Sequence, residues 1–148
     1  MANIKNCLKK KNRILGRMEV EFEKVSRYNS ISEKNRRPYN VFESLKNYED
    51  LATELVELKT KIHEANVKGG MLQKIFLLGE LKTQAIKLQN LDCSEGVVSS
   101  RYESMETVKT AELTVEVRDV LVMVLQDRIV ALEEELDQFN HETLIAGV

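Results

Sequence analysis

With 148 residues, 31% of them charged and only 5% aromatic, no Trp and a single proline, the chain has the length of one domain and the composition of long helices. This excludes an aromatic-rich, turn-rich β-sandwich. A formal net charge of −2 supplies no global attraction to nucleic acid or anionic lipid, so such binding has to come from a local patch.

The opening from Met1 to Gly16 is basic and lacks the apolar core of an export signal, and no stretch approaches the roughly 18 apolar residues of a membrane span. Cys7 and Cys93 form no Cys-x-x-Cys pair, the pattern of incidental thiols rather than of a disulfide scaffold. A cytoplasmic location is expected.

In the first stretch Ile4, Leu8, Leu15, Met18, Phe22 and Val25 fall at alternating heptad spacings, with Lys11 in the one seam position that breaks the series. They predict a coiled-coil-like helix over about 3–28. Cys7 and Ile14 widen its stripe on one flank, so the helix is expected to touch two neighbours.

The run Ser30 to Asn40 holds Asn35, Arg36, Arg37 and Pro38 without any helical stripe, which reads as a loop. Asn40 and Glu43 have capping-box spacing and start a second helix, over 41–67. Its stripe is Leu45, Tyr48, Ala52, Leu55, Leu58, Ile62 and Ala65. Lys68, Gly69 and Gly70 end it, because glycine tolerates the left-handed conformation of a helix stop.

A third helix over 71–91 carries Ile75, Leu78, Leu81, Ala85 and Leu88, with Phe76 and Leu77 adding a second face and Gly79 allowing a close backbone approach. The Ser-, Thr- and Glu-rich segment after it alternates twice, at Val97 to Tyr102 and Thr107 to Leu113. This predicts a small β-hairpin at about 97–113.

Thr114 is the expected cap of the last helix, over 115–142, in which Val122, Leu125, Ile129, Leu132, Leu136 and Phe139 keep uninterrupted heptad spacing. Val120 to Leu125 is apolar on every side, so that segment has to be surrounded by the bundle or by another subunit. The fold expected is mainly α: an antiparallel four-helix bundle in one domain, up-down-up-down, with the start of helix one beside the end of helix four.

Charge supports that placement. Lys5, Lys9, Lys10, Lys11, Arg13 and Arg17 open the chain without an acid, and Glu133, Glu134, Glu135, Asp137 and Glu142 close the last helix without a Lys or Arg. Each cluster opposes its own helix dipole. The two ends are therefore expected to face each other, within a chain or between chains.

Chemistry is sparse. His63 and His141 fall on different helices, with Thr60 and Gln138 at the positions where a dimetal helix carries Glu. No zinc spacing, Gly-x-Ser-x-Gly elbow or phosphate loop is present. No catalytic, metal or cofactor residues are expected, and the protein is read as a non-enzyme. Two basic features, the run through Lys9, Lys10, Arg13 and Arg17 and the loop of Arg36, Arg37 and Tyr39, have the chemistry to grip a phosphate backbone.

The segments Ile4-Lys5-Asn6-Cys7-Leu8-Lys9-Lys10-Lys11-Asn12, Leu58-Lys59-Thr60-Lys61-Ile62-His63-Glu64-Ala65-Asn66, Gly79-Glu80-Leu81-Lys82 and Glu135-Leu136-Asp137-Gln138-Phe139-Asn140 together resemble a family of short bacterial helical proteins, some labelled septicolysin. The resemblance spans nearly the whole chain and rests on helix surfaces and seams. The label implies a pore-forming cytolysin, and no catalytic residues follow from it. The family tends to carry a small residue where this chain has Cys7.

The leading expectation is a non-enzymatic helical assembly protein that binds itself or another helical protein. Its expected contacts are Phe76, Val122, Leu125 and Ile129, with Glu133 and Glu134 and the basic residues above at the charged ends. Nucleic-acid binding through the basic helix and the Arg36 and Arg37 loop is the alternative, and membrane lysis the third.

Overall fold

In a computed structural model describing residues 1–98 and 106–148, the elements run β1 (Ala2–Asn3), α1 (Ile4–Tyr28), α2 (Val41–Lys68), α3 (Leu72–Gln89), β2 (Gly96–Val98), β3 (Thr107–Lys109), α4 (Val115–Glu142) and β4 (Leu144–Ile145). The protein is mainly α, with α1 antiparallel to α2, α3 antiparallel to α4 and a small β-hairpin. Contacts divide it into two compact units, Met1–Met71 with Asp137–Val148, and Leu72–Leu136. Each unit has its own core.

In the first unit, Asn3 is extended and caps α1, its Oδ1 accepting from the Asn6 amide at 2.9 Å. Asn3 therefore ends a strand rather than starting the helix. β1 pairs antiparallel with β4, Ala2 opposite Ile145 and Asn3 opposite Leu144. The Ile4 amide donates to the Thr143 carbonyl at 3.0 Å. The start of α1 thus lies beside the end of α4, as the connectivity predicts. The terminal ladder itself is not predicted, because two-residue strands leave no alternation to read.

The core of this unit corrects the expected seam of α1. Ile4, Cys7 and Ile14 are buried, with Met18 packed against them, whereas Leu15 and Phe22 are exposed; Ile14 is 2% accessible and Leu15 42%. The flank of the expected stripe is the core, and half of the stripe lies outside it. Opposite α1, the α2 residues Leu51, Leu55, Leu58 and Ile62 are buried, along with Ser44 and, from the terminal strand, Ile145.

Asn40 caps α2 as its spacing predicts, Oδ1 accepting from the amides of Phe42 at 3.0 Å and Glu43 at 3.2 Å. At the other end Gly70 takes φ +69°, the left-handed stop. Gly69 serves differently: a methyl group there would overlap the Phe139 ring.

In the second unit Leu81 and Ala85 of α3 pack with Leu125 and Ile129 of α4, flanked by Leu78, Leu88 and Leu132. These are the stripes read from the sequence. Thr114 Oγ1 accepts from the Val117 amide at 3.3 Å, capping α4. In the hairpin, Gly96 stands opposite Lys109, Val97 opposite Val108 and Val98 opposite Thr107. The rest of the expected first alternation, Ser99 to Tyr102, lies outside the described residues.

Candidate interaction surfaces

The basic opening of α1 is only partly engaged. Lys10 pairs with Glu54 of α2 at 3.1 Å, while Lys9, Arg13 and Arg17 are exposed and make no ion pair among the described residues. Arg17 lies in a shallow groove with Glu21, Asp50 and Glu54, an acidic setting that opposes an approaching phosphate.

The acidic end of α4 is matched elsewhere. Glu133 pairs with Lys82 at 2.7 Å and Glu135 with Lys74, both on α3, and Glu134 is exposed. Among the described residues, then, the ion pairs of these two clusters join antiparallel neighbours rather than the two termini. The within-chain form of the expected pairing of basic start with acidic end is thus corrected: Lys10, Glu133 and Glu135 find partners on the neighbouring antiparallel helix.

The loop between α1 and α2 separates its two arginines. The Arg37 guanidinium donates from Nε to the Tyr28 carbonyl at 2.8 Å and from Nη2 to the Asn29 carbonyl at 2.9 Å. It satisfies orphan carbonyls at the C-terminus of α1, where a cation also suits the helix dipole. Tyr39 packs against Tyr28 at a tilt of 52° with centroids 5.6 Å apart and lies under Lys24 Nζ at 4.7 Å. Arg36, Arg37 and Tyr39 are all exposed, but Arg37 and Tyr39 are engaged by the protein itself, whereas Arg36 makes no side-chain bond among the described residues.

Of the expected apolar contacts, Leu125 and Ile129 are core residues of the second unit, Val122 is half-buried, and Phe76 is exposed. The apolar residues that do reach the surface of α4 include Val117, Leu121 and Val124. Leu121 and Val124 belong to the segment Val120 to Leu125 that the sequence expects to be covered, and Val117 extends it one turn towards the start of the helix. The three fall at helical spacings of four and three, one flank away from the seam.

Among the described residues no group of three or more His, Cys, Asp or Glu side chains is placed to hold a metal. His63 and His141 are exposed. The Cys7 thiol is fully buried, and burial pushes its pKa up against the pull of Lys10, the opposite of what an activated thiolate requires. Among the described residues no helix is long and apolar enough to cross a membrane.

No family model, curated protein or solved structure matches the chain.

Proposed function

We propose that the protein is a non-enzymatic helical assembly module that associates with further copies of itself in the cytoplasm. One observation carries this reading: large apolar side chains on α3 and α4 remain in water, with Phe76 64% accessible, Val124 50% and Leu121 40%. Single exposed apolar residues are ordinary, but a row of them along one helix marks a surface that another protein covers. Two free cysteines accord with a reducing compartment.

Gel filtration coupled to light scattering tests the reading. The expected mass is a multiple of 17.0 kDa, kept in high salt because apolar association does not depend on counterions. A monomer at every concentration overturns it.

Exposed Lys9 and Arg13 support nucleic-acid binding as a second reading, and salt separates it from the first. A phosphate contact weakens steeply with salt, so a mobility shift that vanishes with added salt would favour it. The resemblance to septicolysin-labelled proteins supports a third reading, membrane lysis, which dye release from liposomes would favour.

A further inference from the structure

Because α3 and α4 face each other through Leu81, Ala85, Leu125 and Ile129, the pair presents two flanks. The Lys82–Glu133 bridge marks one. Stepping 100° per residue around each helix puts Leu77 of α3 and Val117, Leu121 and Val124 of α4 together on the other. All four are exposed.

That flank also carries Glu80 on α3 and Arg128 on α4, with Glu135 farther along the same row of α4 and paired to Lys74. Glu80 and Arg128 are exposed, and neither forms an ion pair among the described residues. Their heights agree. The Lys74–Glu135 pair and the Arg118 Nη1 bond to the Leu91 carbonyl fix an antiparallel register in which Glu80 stands level with Arg128.

A flank with a cation on one helix and an anion at the same height on its neighbour is complementary to itself. Rotation by a two-fold axis parallel to the helices lays α4 of one copy on α3 of the other, antiparallel, without changing heights. Each Arg128 then meets Glu80 of the partner subunit, and the apolar side chains of both copies turn towards a common centre.

We propose that a second copy of this chain packs on the flank of Leu77, Val117, Leu121 and Val124, and that Glu80 and Arg128 set its orientation by two reciprocal ion pairs. The inference rests on the assembly reading and specifies its surface. A two-helix unit with two apolar sides is thereby completed as a four-helix arrangement.

The test is the dimer dissociation constant of the full chain, by sedimentation equilibrium at low salt, with helical content checked by circular dichroism. Glu80→Arg is expected to weaken association about tenfold or more, since it sets like charges together. The double variant E80R/R128E is expected to restore it to within about threefold, as a coupled pair requires. Val124→Glu is expected to give monomer.

Association by the natural chain that is unmoved by both Glu80→Arg and Val124→Glu would overturn this surface while leaving self-assembly intact. A natural chain that stays monomeric overturns both. Loss in Glu80→Arg that the double variant does not recover overturns the reciprocal pairing.

Discussion

Glu21 and Asp92 are both carboxylates held by neighbours, in opposite surroundings. Glu21 lies among the half-buried residues of α1; one oxygen is within 3.2 Å of Lys24 Nζ, and the other is buried without a partner. Such a group is held at a cost, because desolvation is only partly repaid. Asp92 is fully exposed and well bonded. Hydrogen bonds from the Ser94 hydroxyl and amide, and then Lys109 at 3.4 Å, bring its pKa from 3.8 down to about 2. The Lys109 contact ties β3 to the end of α3. Because the folded value lies below the ordinary one, the stabilisation is complete above about pH 4 and is lost as pH falls through about 2. The Val97 and Val108 amide resonances are expected to shift over that range, and Asp92→Asn is expected to abolish the transition; resonances that stay fixed from pH 5 to pH 2 would show that Asp92 anchors nothing.

At the scale of the element, α1 shows how two heptad rows compete. Ile4, Leu8, Leu15, Met18, Phe22 and Val25 form one row, while Ile4, Cys7, Lys11, Ile14, Met18, Glu21 and Val25 form another turned by part of a residue step. The first is the more apolar, yet the second faces α2. Ile14→Ala is therefore expected to cost about 2–5 kcal/mol and Leu15→Ala less than about 1 kcal/mol, measured by denaturant unfolding; equal losses would contradict the observed orientation. In α3 and α4 one apolar row runs most of the helix while the others are shorter, and the long stripe read from the sequence is the buried one. The candidate surface divides similarly. Phe76 was visible as an apolar residue outside its stripe, whereas Leu125 and Ile129, chosen as contacts, are occupied by their own core.

For the whole molecule, the least expected feature is the closure of the first unit by the chain ends. Ile145 is buried and belongs to the same core as Ile4 and Cys7, and the Lys61 ammonium donates to the Gly147 carbonyl at 3.0 Å. Ile145→Ala is accordingly expected to destabilise the protein by about 2–5 kcal/mol, a core-sized loss from a residue outside every predicted helix. An unchanged urea midpoint would show the terminal strand to be dispensable.

By itself the sequence determined the four helices, their limits to within a few residues, the Asn40 and Thr114 caps, the Gly70 stop and the place of the hairpin. These depend on dihedral preference, capping and periodicity, which act among residues a few positions apart. The tertiary structure decided which row of α1 is buried, that Arg37 serves a helix end rather than a ligand, that Glu133 pairs with Lys82, and that residues 2–3 and 144–145 form a ladder. Each of those depends on the position of a distant partner. A helix can be predicted from its own bonds, but the side it buries is set by what is packed against it.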